Sequence, residues 1–316
     1  MRISRGVPRS PFGPVALTIG NFDGVHLGHQ AMISHLVAAA RERSLPACLM
    51  TFEPHPREFF APDQAPTRLT SLREKLELLA ELGVEHTVIL RFDYEFARVS
   101  AEDFVFGILH RALDVRWLLV GDDFRFGARR AGDFALLSER GRELGFDVKS
   151  MPTIAVGSTR VSSTAVRDAL AAGDLSGAES LLGRPYSISG RVVNGSKLGT
   201  RIGFPTANIL MKHNRPPLSG IFAVDVDGLG EAPVRGVASL GVRPTVHTDG
   251  KPALEVHLFD FERRIYGRHL RVNFRAKLRD EEKYPDLETL TAQIRRDVEN
   301  ARAFFADVDR AHALLR

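Results

Sequence analysis

Apolar residues follow two different patterns along this chain. In the first half, short continuous apolar runs alternate with segments of helical period. The runs at 15–19 (Val15-Ala16-Leu17-Thr18-Ile19), 47–52, 87–90, 117–120 and 146–151 read as buried strands. Between them, Ile33, Leu36, Val37 and Ala40 share one helical face, and Leu72, Leu76 and Leu79 share another. Ser100 with Asp103 predicts a helix start that Phe104, Ile108 and Ala112 continue, and a further helix with Leu137 and Leu144 stops before Gly145. Strands alternating with helices predict a parallel sheet covered on both faces. Leu175, Ala178, Leu181 and Leu182 give this half its last helix. The texture changes near Gly183-Arg184-Pro185. Strand-like runs at 186–193, 221–226, 234–240, 254–259 and 270–274 then follow without helices between them, which predicts an antiparallel barrel or sandwich. Leu287, Leu290, Ile294, Val298, Ala301 and Phe305 form the stripe of one long closing helix. The expected domains are therefore 1–183 and 184–316.

Composition narrows the class. A chain of 316 residues with 44% hydrophobic residues supports two packed cores. Lys+Arg 43 against Asp+Glu 39 gives a net charge of +4, and the arginines are scattered. That balance calls for no nucleic acid and suits polyphosphate ligands. The single cysteine, Cys48, cannot form an internal disulfide and sits in an apolar run. No stretch is long and apolar enough to span a membrane and no signal-peptide core opens the chain, so the expectation is a cytoplasmic enzyme. Asn194-Gly195-Ser196 matches a glycosylation sequon, which carries no meaning without secretion.

The densest chemistry lies at 20–29: Gly20-Asn21-Phe22-Asp23-Gly24-Val25-His26-Leu27-Gly28-His29. A strand turning through glycines into a helix gathers backbone N–H groups and the positive end of the helix dipole at one place. His26 and His29, three residues apart, fall on one side of the first turn. The glycine spacing is neither that of a Walker loop nor that of a dinucleotide fingerprint. This nest suits nucleotidyl transfer, in which a phosphate oxygen attacks the α-phosphorus of ATP. An ionised phosphate needs no general base, only alignment and charge neutralisation. The competing reading is a glycine turn with two surface histidines. Downstream, Val161-Ser162-Ser163-Thr164-Ala165-Val166-Arg167 opens a helix with hydroxyls, and Arg167 sits one turn in, placed to hold phosphates. An ordinary N-cap with a solvated arginine is the alternative. Glu53-Pro54-His55-Pro56 and Gly121-Asp122-Asp123-Phe124-Arg125-Phe126-Gly127 lie at the ends of two other strands.

In the second half, Gly195, Gly199 and Gly203 let the backbone approach a ligand closely, and Lys197 and Arg201 add charge. Pro205-Thr206-Ala207-Asn208 places two hard oxygen donors on one strand face, as a site for Mg²⁺. In Leu254-Glu255-Val256-His257-Leu258, Glu255 alternates with apolar neighbours and shares a face with His257. A carboxylate in a barrel mouth would serve as general base for phosphoryl transfer to an alcohol. A solvated strand glutamate is the alternative.

With these motifs in hand, the chain resembles the bacterial bifunctional riboflavin kinase/FAD synthetases. The run at 20–29 and Ser162-Ser163-Thr164-x-x-Arg167 look like the adenylyltransferase half. Pro205-Thr206-Ala207-Asn208, Gly241-Val242-Arg243-Pro244-Thr245, Leu254-Glu255-Val256-His257, Tyr266-Gly267 and Leu278-Arg279-Asp280-Glu281-Glu282-Lys283-Tyr284 look like the kinase half, in the family's order. The resemblance spans about residues 15–305. It implies an α/β protein: an N-terminal parallel-sheet, Rossmann-like nucleotidyltransferase domain, then a C-terminal antiparallel β-barrel with a terminal helix. It also implies that riboflavin becomes FMN and FMN becomes FAD, with ATP as co-substrate and Mg²⁺ as cofactor. By resemblance, Gly20, Asn21, Phe22, Asp23, Gly24, His26, His29, Ser162, Ser163, Thr164 and Arg167 form the first ATP site. Phe52, Pro54, Pro56 and Phe60 contact flavin; Asp123, where some members carry Asn, is a weaker candidate. Gly195, Lys197, Gly199 and Gly203 cradle the second ATP, Thr206 and Asn208 hold the metal, Glu255 is the base, and Arg279 lies in a flavin-covering loop. Tyr284 stands where many members carry Phe, and Leu240 where many carry Ile. The expected partners are these small molecules, with no nucleic acid and no membrane; self-association stays open. Two rivals stay open too: a flavin-binding regulator without turnover, and an enzyme that adenylylates another phosphorylated acceptor.

Overall fold

The structure is a computed structural model. It describes residues 1–8, 13–157, 159–195, 198–213, 215–242 and 252–314. They divide into two compact units, Met1–Pro66 with Lys75–Ser163, and Thr67–Glu74 with Thr164–Arg316.

The first unit is built on a six-stranded parallel sheet. Its strands are β1 (Arg2–Arg5), β2 (Val15–Ile19), β3 (Ala47–Glu53), β4 (His86–Arg91), β5 (Val115–Gly121) and β6 (Asp147–Met151), in the order β1-β4-β3-β2-β5-β6. β2 is buried throughout, as an apolar run in the middle of a covered parallel sheet must be. Successive strands run outward on one side from β2 to β4, and on the other from β5 to β6. The crossover point therefore lies between the carboxyl ends of β2 and β5, where open α/β sheets bind ligands. The helix Leu27–Glu42 follows β2 directly and buries Ile33, Leu36, Ala39 and Ala40. The helix expected after Ser100 is present and Ser100 caps it, but residues 104–112 are wound as a π-helix. Phe104, Val105, Ile108 and Leu109 are its buried face. Cys48 is buried, and burial pushes its thiol up to about 12, so it packs as an inert apolar group. A short hairpin, β7 (Ala155–Val156) with β8 (Thr159–Arg160), follows the sheet.

The second unit is a closed antiparallel barrel of six strands: β9 (Ser187–Val193), β10 (Ala207–Leu210), β11 (Gly220–Asp227), β12 (Val234–Val242), β13 (Pro252–Leu258) and β14 (His269–Arg279). Phe222, Val224, Leu240, Leu254, Val256, Val272 and Phe274 are buried as its filling. A barrel this small is packed solid by its own side chains. On the outside, the closing helix Leu287–Leu314 lays Val298, Ala301, Phe304 and Phe305 over Ala223, Val237 and Phe259.

The expected domain division after Gly183 differs from the division by packing. The helices Ser163–Ala171 and Leu175–Leu182 lie mostly or wholly in the barrel's unit, as do residues 67–74. Glu74 explains the last of these. Its buried carboxylate accepts the N–H of Ser71 at 2.6 Å and the N–H of Ser189 at 2.5 Å, while Tyr186 Oη donates to the carbonyl of Leu69 at 3.1 Å.

Candidate active sites

The first site grows from the turn between β2 and the helix Leu27–Glu42. Phe22 (φ 49°), Gly24 (φ 82°) and Val25 (φ 43°) all take left-handed backbone, a conformation that costs energy for residues with a Cβ. Burial of the Phe22 and Val25 side chains holds the turn in place. His26 is the helix N-cap. The His29 N–H donates to its Nδ1 at 3.3 Å, which puts the proton of a neutral His26 ring on Nε2. The two imidazoles stack with centroids 3.6 Å apart, and the Phe22 ring lies 4.9 Å from His29. Gly28 permits that stack, because a Cβ there would stand 3.2 Å from the His26 ring. Ser163 Oγ donates to the Asp23 carbonyl at 2.9 Å, and Asp23 itself is buried. The structure thus brings Gly20, Asn21, Phe22, Asp23, Gly24, His26, His29 and Ser163 into one place. Ser162 is half-buried beside Ser163. Thr164 and Arg167 belong by packing to the second unit, where Arg167 Nε donates to the carbonyl of Thr67 at 2.6 Å.

At the end of β3 and just beyond it, Phe52 and Phe60 belong to a larger aromatic wall than the sequence suggested, with Pro54 and Pro56 between them along the chain. The helix Pro56–Phe60 is capped by His55 in a capping box with Glu58. Phe60, 67% exposed, meets Phe59 and Phe92 edge-on, and Phe59 meets Tyr94 at 4.8 Å. Phe52 packs near Phe92 and Phe96. Phe59, Phe92, Tyr94 and Phe96 are thus the residues that motif reasoning passed over. The alternation Phe92-x-Tyr94-x-Phe96 was the available signal. Asp123 lies apart from this wall's ring contacts; it is exposed, 3.5 Å from Arg160.

The second site lies on the outside of the barrel. Expected in a barrel mouth, Glu255 instead projects from the outer face of β13, because Leu254, Val256 and Leu258 occupy the filled interior. It shares that face with His257, as the alternation predicts. Glu255 pairs with Asn208 of β10 on one side and Ser239 of β12 on the other. Thr206 Oγ1 donates to Glu255 Oε2 at 3.1 Å. A cavity of about 270 Å³ opens beside them, lined by Phe204, Thr206, Glu255 and His257, by Arg279 and Tyr284, and by Leu290, Ile294 and Asp297 of the closing helix. Gly195 sits on the amide of Asn208, and Gly199 sits against the Phe204 carbonyl and near Thr206 Oγ1. Gly203 takes φ 89° in the turn between them. Arg279 forms a two-pronged ion pair with Asp297, at 2.8 and 2.7 Å, and donates to the Asp280 carbonyl at 2.8 Å. Hydrogen bonding to Asp297 raises the guanidinium's pKa, so it stays charged. Gln293 donates to the same carboxylate at 3.0 Å. Sequence reasoning reached Arg279 but missed Asp297, which holds it, and Gln293, which bonds to Asp297. Lys197 and the stretch Arg243-Pro244-Thr245 lie outside the described residues.

Thr206 and Asn208 offer hard-oxygen donors of the kind Mg²⁺ takes alongside phosphate oxygens and water. Among the described residues, no cluster of three or more His, Cys, Asp or Glu side chains could hold a metal by itself.

Comparisons with known proteins match each half of the chain. Residues 10–165 match the family described as FAD synthetase, and residues 182–305 match the family described as riboflavin kinase. A bifunctional riboflavin kinase/FMN adenylyltransferase of Escherichia coli (strain K12) is 51% identical over 308 residues, covering 96% of this chain and 98% of that protein. The protein of the same name from Pseudomonas fluorescens is 49% identical over 289 residues, 92% of each chain. A crystal structure described as a macrolide-efflux protein from Streptococcus pneumoniae superposes with a TM-score of 0.80 at 28% identity, covering 96% of this chain and 99% of that one. Among the described residues, no helix here is long and apolar enough to cross a membrane. At this identity and coverage, with both halves matched in order, the chain belongs to the bifunctional riboflavin kinase/FMN adenylyltransferase family.

Proposed function

We propose that residues 184–316 phosphorylate riboflavin and residues 1–183 adenylylate the FMN that results. The observation that carries the kinase assignment is the hydrogen-bonded pair Thr206–Glu255 at the edge of a partly apolar cavity. The 5′-hydroxyl of riboflavin attacks the γ-phosphorus of ATP. Its proton passes to the Glu255 carboxylate, the bond from the γ-phosphorus to the bridging oxygen breaks, and ADP leaves. Thr206, by donating to one oxygen of Glu255, orients the other. Mg²⁺, held at Thr206 and Asn208, supplies charge neutralisation to the transferring phosphate when bound. Arg279, fixed by Asp297, covers the flavin from the helix side.

In the first unit, a phosphate oxygen of FMN attacks the α-phosphorus of ATP, the α–β bridging bond breaks, and pyrophosphate leaves. No proton has to be removed. His26 and His29 donate hydrogen bonds to phosphate oxygens as charge shifts, with the nest N–H groups beside them. Ser162 completes that nucleotide site in this reading, and the aromatic wall from Phe52 to Phe60 takes the isoalloxazine. We place the enzyme in the cytoplasm, where ATP and Mg²⁺ are supplied and a single-cysteine chain is at home. The test is direct. The purified chain, given ATP, Mg²⁺ and riboflavin, forms FMN and then FAD on a chromatogram. Absence of FMN refutes the kinase assignment, and absence of FAD from supplied FMN refutes the other.

A further inference from the structure

A buried lysine lies behind the nest and belongs to no motif. Lys75, on the helix Leu72–Glu81, is only 6% exposed, and its Nζ donates to the carbonyl of Asn21 at 2.7 Å. Burying a lysine is unfavourable unless its charge is used. Thr51 Oγ1 reaches the same carbonyl at 3.3 Å. Two further carbonyls of the turn are held in the same manner, at alternate positions. Ser163 Oγ takes Asp23 at 2.9 Å, and Gln30 Nε2 takes Val25 at 2.9 Å. In a trans peptide the C=O of one residue and the N–H of the next point in opposite directions. Fixing the carbonyls of residues 21, 23 and 25 therefore turns the N–H groups of Phe22, Gly24 and His26 away from the three clamps. Each of these three N–H groups thereby gets a fixed direction, which a turn strained at Phe22 and Val25 would not keep unaided.

We propose that Lys75 is a positioning residue for adenylyl transfer, acting through the Asn21–Phe22 peptide, with Gln30 as its counterpart at the Val25–His26 peptide. Lys75 does not touch the nucleotide. It contributes a charge-assisted hydrogen bond, stronger than a neutral one, and a fixed positive charge behind the site of the triphosphate. The inference rests on the assignment of adenylyl transfer to the nest.

The full-length chain tests it, because the kinase activity of the same polypeptide reports on folding. Lys75→Met is expected to lower kcat for FAD formation from supplied FMN about 10-fold or more, leaving KM for FMN unchanged and riboflavin phosphorylation intact. Lys75→Arg, which keeps the charge and a donor, recovers a substantial part of the loss. Gln30→Leu, made separately, selectively slows the same step and decides the matter if Lys75→Met does not fold. Adenylylation within twofold of the unsubstituted chain in both Lys75→Met and Gln30→Leu overturns the proposal. So does a parallel fall in both activities, which would mark a role in folding alone. If the unsubstituted chain itself makes no FAD from FMN and ATP, the underlying assignment fails and takes this inference with it; failure confined to the variants removes the inference alone.

Discussion

Gly195→Ala should silence the kinase and spare the adenylyltransferase. A Cβ at residue 195 would stand 2.2 Å from Nδ2 of Asn208, 2.4 Å from its Cγ and 2.6 Å from its Oδ1. The nearest of these falls about 1.2 Å short of ordinary van der Waals contact. The backbone of Asn208 cannot give way, because β10 is paired with β9 through Val193 and with β13 through Glu255. The side chain must therefore swing from its place over Gly195, on a strand residue paired with Glu255. A displacement of about 1 Å at a reacting centre lowers the rate about 10²-fold, or about 2.7 kcal/mol in the barrier. The assay follows riboflavin-dependent ADP release at saturating Mg²⁺ beside FAD formation from supplied FMN, with thermal unfolding as a check. The expected result is a kinase slowed about 10²-fold, an unchanged adenylylation rate and a near-normal melting point. Kinase activity within threefold of the unsubstituted chain would show that the Asn208 amide has no part in the reaction.

Three other outcomes follow from the same geometry. Glu255→Gln keeps the shape of the side chain but accepts no proton, so FMN formation falls about 10²–10⁴-fold while adenylylation of supplied FMN continues; equal kinase rates would remove Glu255 as base. His29→Ala lowers FAD formation about 10²-fold with FMN still accumulating, and a joint fall of both products would contradict separate sites. Asp297→Asn leaves the half-buried Arg279 without its carboxylate. Denaturant stability of the barrel should fall by about 2–4 kcal/mol and KM for riboflavin should rise, whereas unchanged values of both would mean that the pair is idle.

The sequence was most legible where one rule governs a whole segment. Apolar runs such as Val15 to Ile19 announce covered parallel strands, and the stripe from Leu287 to Phe305 announces the closing helix. β1 escaped notice because an edge strand of four residues, Arg2–Arg5, has only Ile3 to mark it. The side of the barrel on which Glu255 lies was also hidden. Alternation tells that Glu255 and Val256 face opposite ways, but not which way is inward; the filled interior decides that. Asp297 and Gln293 were missed for a related reason. Asp297 reaches Arg279 across 18 residues of chain, a distance that no local spacing encodes, and Gln293 enters only through its bond to Asp297. The aromatic wall was half seen, since Phe92 and Tyr94 join Phe59 only through the sheet.

The stretch from Thr67 to Glu74 sets a limit on how this polypeptide can be dissected. A fragment begun at Arg184 would omit the carboxylate that receives the Ser189 amide and the carbonyl that receives the Tyr186 hydroxyl. It would also omit the helices that carry the buried Val166, Leu170 and Leu182, which divide with the barrel. An amputated kinase would thus start with stranded polar groups and bare apolar flanks. The two activities, although they work at different addresses along the chain, are not interchangeable cassettes: the later one is finished with material encoded in the earlier.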